Sequence, residues 1–238
     1  MNDTYRNIAV VIEIENSIKS LRNGLAEIQK VNAANDFYDP TLIYLSGGLE
    51  RLFKSMLCLN FKQANGRLPN PKEIWNYKQG HDIEFLKGEV EKICIEIDRP
   101  FAANDYNLIT SNPLINQICK TLSEYGQRAR YFNMDAILGT EQEFDSKKEW
   151  KKIETSILKQ HYGEKEFYEI LSDPTKLDEL YLKSSELLVV QLEQFFRAIT
   201  RQFIFGNFSE ESKTFVFQIE AFSQIEDSQL GTTDYRNI

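Results

Sequence analysis

Apolar residues recur three or four positions apart along most of this chain, a spacing that places them on one face of a helix. A second predicted helix follows the first, and a long helix further along the chain is predicted from about Leu177 to Phe205. The apolar positions of the first predicted helix are Val11, Ile14, Ile18, Leu21, Leu25 and Ile28. Those of the second are Leu42, Leu45, Leu49, Leu52, Met56 and Leu59. Strand-like sequence is limited to Phe215–Ile219, for which the sequence offers no convincing pairing partner. We therefore predict an all-α protein, a multi-helix bundle of about seven to nine helices.

The domain organisation follows from length and from the absence of a linker in the sequence. A chain of 238 residues can bury a large core, and no low-complexity stretch divides it. The best candidate boundaries are Phe101–Asn107, which we predict to be irregular, and Gly139–Phe144. We predict one elaborated helical domain over residues 1–238, with a subdivision into 1–100 and 101–238 as the alternative.

Charge and cysteine usage narrow the possible environments. The formal net charge is −8, which does not favour non-specific attraction to nucleic acid or to anionic membranes. No apolar run reaches the roughly 18 residues of a membrane-spanning helix, and the N-terminal residues lack a secretory pattern. Cys58, Cys94 and Cys119 lie far apart among apolar residues, which is typical of buried thiols in a reducing compartment. We expect a cytoplasmic protein with no membrane contact and no Cys/His metal site.

A glycine pair and a charged pair interrupt the second predicted helix. Gly47–Gly48 lowers helix propensity, so either a close helix–helix contact or room for a ligand is expected there. Glu50 and Arg51 lie between apolar positions of a helix that looks largely buried. They lie either at the solvated edge of the apolar helix face, with Glu50 paired to Lys54, or in a binding site.

His81 and Asp82 follow a Gly/Pro/Asn loop at the start of the third predicted helix. The simplest interpretation is structural: Asp82 caps the helix and His81 hydrogen-bonds across the loop. In the functional interpretation, His81 is a general acid/base or a phosphate contact. The other histidine, His161, lies in phase with an apolar helix face, so we predict a core position for it.

Two groups of arginines are candidate phosphate ligands, because guanidinium groups bind phosphate bidentately. Arg128, Arg130 and the aromatic Tyr131 form the densest cation–aromatic group in the chain. Arg197 and Arg201 lie one turn apart on the long helix, with Gln194 on the same side. The alternative for each arginine is an ordinary salt bridge. The sequence contains no Walker A, GxGxxG, GxSxG or HExxH motif, so we predict no cofactor.

Several short segments resemble HEPN proteins, an α-helical superfamily of bacterial proteins. They are GLERLFK, GHDIEFL and RARYFNMD, followed by FFRAITRQFIFGNFSEES and FSQIEDSQLGTTDYR near the C-terminus. The resemblance implies a HEPN-like helical core, frequent dimerisation, and RNA or nucleotide contact in toxin–antitoxin or phage-defence systems. Many HEPN proteins are ribonucleases whose motif is an arginine four to six residues before a histidine. No arginine stands at that distance from His81 or His161, so the resemblance does not carry over ribonuclease activity.

Three functional hypotheses follow. The first is a HEPN-like protein that binds RNA, a nucleotide or a protein partner through its arginines. The second is a metal-independent ribonuclease or phosphotransfer enzyme, with His81 as acid/base, Arg128 and Arg130 on phosphate, and Glu50–Arg51 orienting. The third is a structural module that presents a helix face for homodimerisation.

Overall fold

The computed structural model describes residues 2–99, 101–141 and 143–237, and ten α-helices lie within them. They are α1 (Asp3–Ile28), α2 (Asp39–Asn65), α3 (Ile83–Glu91), α4 (Ala102–Thr110), α5 (Pro113–Gln127), α6 (Phe132–Ile137), α7 (Ser146–Tyr162), α8 (Glu164–Leu171), α9 (Leu177–Phe205) and α10 (Val216–Ser223). The described residues contain no β-strand, and the strand-like sequence Phe215–Ile219 lies largely in α10. The all-α prediction is confirmed, while the number of helices slightly exceeds the predicted range.

The bounds of α9 agree with those predicted from periodicity, whereas α4 was not predicted. We expected Phe101–Asn107 to be irregular, because asparagine and aspartate disfavour helix interiors. In the structure, Ala102, Asp105 and Ile109 are buried on one face of α4, and Arg201 of α9 pairs with Asp105. Tertiary packing therefore outweighs the weak local propensity of this segment. Pro100 lies outside the described residues.

The antiparallel pair α1 and α2 depends on glycines at two close contacts. A Cβ on Gly48 would lie 2.7 Å from the side chain of Leu21, and a Cβ on Gly24 would lie 2.4 Å from that of Leu45. A Cβ on Gly47 would meet nothing within 4 Å. Close helix–helix contact therefore explains Gly48, while Gly47 faces a surface groove.

One contiguous cluster of buried side chains forms the main core, and it draws residues from all the described α-helices except α6 and α8. Phe195, Phe196 and Phe203 of α9 are fully buried within it, so α9 is a central helix. A smaller cluster joins α7, α8 and α9 and comprises Leu158, Phe167, Ile170 and Leu180. Cys94 and Cys119 are buried as predicted, and Cys58 is partly buried. None of the described helices is both long and apolar enough to cross a lipid bilayer.

Candidate ligand-binding cavity

The C-terminal half of α9 lines a cavity of about 920 Å³, which we call the arginine cavity. Gln194, Arg197 and Arg201 face it because residues three and four apart share a helix face. The other walls are α4 with its preceding residue and the segment after α10, through Phe101, Asn104, Asp105, Leu108, Glu226, Asp227 and Leu230. The volume lies within the range typical of small-molecule sites, about 300–1,000 Å³.

Arg201 belongs to the framework of this cavity. Its Nη1 lies 3.0 Å from Oδ2 of Asp105, whose side chain is only 2% exposed. Burial raises the pKa of Asp105, and the Arg201 hydrogen bond and charge oppose that shift. The guanidinium also lies 4.7 Å from the ring centroid of Phe101. These contacts hold α4 against α9, so Arg201 has a structural role in addition to any contact with a ligand.

The partners of Arg197 differ from those of Arg201 in their exposure to solvent. Its Nη1 donates to the carbonyl oxygen of Ile225 at 3.0 Å and lies 2.7 Å from Oδ1 of Asp227. The side chain of Arg197 is 9% exposed, whereas that of Asp227 is 88% exposed. Nε of Arg197 is buried and has no hydrogen-bond partner among the described residues. Because Asp227 is solvated, an anion from solution can reach Arg197 and take the place of Asp227.

The charges that line the arginine cavity nearly balance. Two guanidinium groups face three carboxyl groups, those of Asp105, Glu226 and Asp227. The cavity is therefore suited to a compact ligand with one localised anionic group, rather than to an extended polyanion. The side-chain amides of Asn104 and Gln194 add neutral donors and acceptors around that position.

His81 and Glu50 meet on another face of the protein. Nδ1 of His81 lies 3.3 Å from the Glu50 carboxylate, which also accepts from Nζ of Lys54 at 2.7 Å. The ring of Tyr77 packs edge-on against His81, with centroids 5.3 Å apart. We call these four residues the His81 cluster. Its histidine is half exposed, so its ring is accessible to a ligand.

Asp82 caps α3, as predicted. Its Oδ1 accepts from the backbone N–H of Phe85 at 3.0 Å and from Oγ of Ser123 at 3.0 Å. Ser123 in turn accepts from the backbone N–H of Ile83 at 2.9 Å. These contacts anchor the start of α3 to α5 and give Asp82 a structural function.

The remaining candidate residues lie outside the arginine cavity and the His81 cluster. Arg51 pairs with Glu13 at 2.6 Å across the α1–α2 groove. Arg128 makes a two-point contact with Glu124, at 2.6 and 3.0 Å, and is largely exposed. The guanidinium of Arg130 lies 5.9 Å from the ring centroid of Tyr125. Tyr131 is 63% exposed.

The structure thus brings together His81 with Glu50, and Arg197 with Arg201. Arg128 and Arg130 make their contacts at the end of α5. His161 is exposed on α7, so the prediction of a core histidine is wrong. Its position one turn after Ile157 was misleading, because the apolar face of α7 leaves the core at Ile157, before the helix ends.

Sequence reasoning missed the acids that complete the arginine cavity. Asp105 and Arg201 are 96 positions apart, so no local pattern links them. One signal was present: Ala102, Asp105 and Ile109 share the spacing of a buried helix face, and a carboxylate on such a face needs a partner.

Comparison of the chain with protein-family models, with curated protein sequences and with solved structures found no match. The resemblance to HEPN proteins therefore stays a prediction based on the segments quoted above.

Proposed function

We propose that this chain is a helical ligand-binding protein whose arginine cavity takes a small phosphorylated ligand of the nucleotide class. The observation that carries the proposal is the state of Arg197. Its guanidinium is almost buried, faces the cavity, keeps an unpartnered Nε among the described residues, and is paired to an acid that is itself solvated.

The binding chemistry follows from the donors of a guanidinium. Arginine carries five N–H groups in a planar fork that matches two oxygens of a phosphate. In the ligand-bound state, a phosphate replaces Asp227 on Arg197 and the hydrogen bond to Ile225 is kept. Arg201 stays paired with Asp105 and contributes its remaining N–H groups at the far side of the phosphate.

The size and charge of the cavity favour a mononucleotide over an RNA strand. Three carboxyl groups line the cavity and the chain carries a net charge of −8, which opposes a long polyanion. The ring of Phe101 is 40% exposed and lines the same cavity, so its exposed edge can contact a base, while the ring itself lies against the Arg201 guanidinium and stacks on Phe205. A nucleotide therefore finds a phosphate position and an aromatic surface in one place.

The test is isothermal titration calorimetry of the wild-type protein with AMP, ATP, adenosine and inorganic phosphate. We expect AMP to bind more tightly than adenosine, and Arg197→Gln to weaken AMP binding by about 10–100-fold, as for a lost charge-assisted contact. Arg51→Gln is the matched control, since it removes an arginine from an exposed pair elsewhere. Equal affinity for AMP and adenosine, or an unchanged affinity of Arg197→Gln, would contradict the proposal.

A HEPN-like context is part of this proposal. The resemblance adds the expectation of a homodimer that contacts RNA or a partner protein in phage defence or a toxin–antitoxin system. The helix α6 supports an interaction face, because none of its residues is buried and Met134 and Ile137 are 53% and 76% exposed. Light scattering of wild type and Ile137→Glu tests this: a dimer that the substitution dissociates supports it, and a wild-type monomer contradicts it.

The second candidate function is the metal-independent ribonuclease or phosphotransfer enzyme. The observation in its favour is the contact between His81 and Glu50, because a carboxylate on Nδ1 orients a histidine for general acid/base chemistry. Arg128 and Arg130 contact Glu124 and Tyr125 at the end of α5, and these contacts do not add to that support. RNA cleavage by wild type that is lost in His81→Ala and kept in His161→Ala would favour the enzyme. Absence of cleavage by the wild-type protein would rule out the enzyme hypothesis.

A further inference from the structure

The N-terminal half of α9 lines a second cavity, of about 330 Å³, together with α7 and α8. We call it the Glu154 cavity. Its walls are mainly apolar and comprise Leu158, Phe167, Leu171, Leu177 and Leu180. The polar residues of its lining are Tyr38, Lys151, Glu154, Thr155, Tyr181 and Ser184. An apolar surface combined with positioned polar groups is the usual construction of a small-molecule site.

Glu154 lacks a cationic partner of its own. Its Oε2 accepts from the hydroxyl of Tyr38 at 2.8 Å. The nearby Lys151 makes its ion pair with Asp36 instead, at 2.9 Å, and its Nζ lies 5.5 Å from the centroid of the Tyr38 ring. Burial raises the pKa of Glu154 to about 7, against the opposing effects of Tyr38 and Lys151. The group missing from this environment is therefore a cation.

Ser184 supplies the second, independent observation. Its residue is 3% exposed and lines the cavity. Its Oγ is buried and has no hydrogen-bond partner among the described residues. An unpaired buried hydroxyl is destabilising, and a ligand donor or acceptor at this position would satisfy it.

We propose that the Glu154 cavity binds an apolar primary amine, with the ammonium group on Glu154 and Ser184 and the hydrocarbon among the leucines and Phe167. An ammonium has three donors and no acceptor, and carboxylate and hydroxyl oxygens both accept from it. An anionic ligand would instead place its charge beside Glu154, and the ammonium group of Lys151 in the lining is already paired with Asp36. This site lies on a different part of α9 from the arginine cavity, so the two proposals stand independently.

Binding an ammonium requires the charged form of Glu154, and the proton it carries in the free protein goes to the solvent. The charged and titratable groups around it are Tyr38, Lys151, Asp36 and Tyr181. With the pKa of Glu154 at about 7, we expect affinity for the amine to be about tenfold higher at pH 8 than at pH 6. Calorimetry at pH 6 in buffers of different ionisation enthalpy should show nearly one proton released per amine bound.

The experiment is a calorimetric series with n-alkylammonium ions of four to ten carbons and the matching n-alkylcarboxylates. Each added methylene should raise amine affinity roughly fourfold until the cavity is filled. Carboxylates of equal length should bind at least tenfold more weakly. Glu154→Gln should reduce amine affinity at pH 8 at least tenfold and abolish its pH dependence.

Two further variants keep the test decisive. Ser184→Ala removes only an unpaired hydroxyl, so the protein should fold, and amine affinity should fall about three- to tenfold. Glu149→Gln, on the same helix but paired with Lys152, is the matched control and should bind as wild type does. The proposal is overturned if no amine binds at millimolar concentration, if carboxylates bind equally well, or if Glu154→Gln and Ser184→Ala both bind as wild type does.

Discussion

The two halves of α9 build two cavities in which acidic side chains are held in opposite ways. In the arginine cavity, Asp105 and Asp227 each face a guanidinium group. In the Glu154 cavity, the acid faces the neutral hydroxyl of Tyr38. One half of α9 therefore lines a cavity of nearly balanced charge, and the other half lines a cavity in which a carboxyl group of α7 has no cation of its own.

The exposure of an acidic side chain, as well as its charge, determines whether a ligand can replace it. Asp105 is buried against Arg201, whose side chain is 19% exposed, so that pair belongs to the framework. Asp227 is solvated, so its place on Arg197 is open to exchange. Glu154 is largely removed from water without a cationic partner, so a ligand that brings a cation completes the site.

The largest expected effect comes from removing the framework arginine. Arg201→Gln leaves Asp105 buried without its ionic partner, and we expect the free energy of unfolding to fall by about 4 kcal/mol at pH 8. The loss should be smaller at pH 5, because Asp105 can then take up a proton. Urea denaturation at both pH values measures it.

The control for this substitution is the exposed pair Arg51–Glu13, in which both side chains are nearly half exposed. Arg51→Gln should cost less than about 1 kcal/mol. If Arg201→Gln were equally mild, Asp105 would be as replaceable as Asp227, and the distinction between framework and exchangeable acids would fail.

The next largest expected effect is a dependence of the free energy of unfolding on pH, caused by Glu154. Burial raises the pKa of Glu154 from 4.5 to about 7. Between pH 4.5 and pH 7, this carboxyl group therefore carries a proton in the folded protein but not in the unfolded chain. Stability therefore falls as pH rises from about 4.5 to 7, by about 3 kcal/mol for this group alone. Glu154→Gln should remove that decline. The measurement is the difference in unfolding free energy between wild type and variant at pH 4.5 and pH 8.

An equal difference at the two pH values would show that Glu154 has the same pKa in the folded and the unfolded chain. In that case the amine proposal would lose its expected pH dependence. Glu149→Gln again serves as the control, because Glu149 pairs with Lys152 at the surface of the same helix.

Local sequence predicted most of the helices, although not α4, and it did not predict the partners of their polar side chains. The apolar spacing of α9 depends only on the order of its residues, and it gave both ends of the helix correctly. The spacing of Arg197 and Arg201 likewise placed both on one face, where they line one cavity. The acid Glu154 and its partner Tyr38 are 116 positions apart, and only the packing of α7 against the start of α2 brings them together.

Another buried acid, Glu193 of α9, sharpens the comparison. It is fully buried, and accepts from the hydroxyl of Tyr235 at 2.7 Å and from the backbone N–H of Gly231 at 2.6 Å. Burial raises its pKa. Tyr235→Phe should therefore cost about 1–2 kcal/mol, less than the loss of an ionic partner and more than a surface substitution. A loss as large as that of Arg201→Gln would mean that neutral and charged partners are equally important to a buried acid.

The smallest effect on stability, and the clearest on binding, is expected for Asp227→Asn. Because Asp227 is 88% exposed, the substitution should change the free energy of unfolding by less than about 0.5 kcal/mol. It also removes the anion that competes with a phosphate for Arg197, so AMP affinity should rise about two- to fivefold. Denaturation and calorimetry on the same preparation give both values. A loss of stability above about 1.5 kcal/mol would make Asp227 a framework acid like Asp105, and a fall in AMP affinity would mean that the phosphate does not take its place.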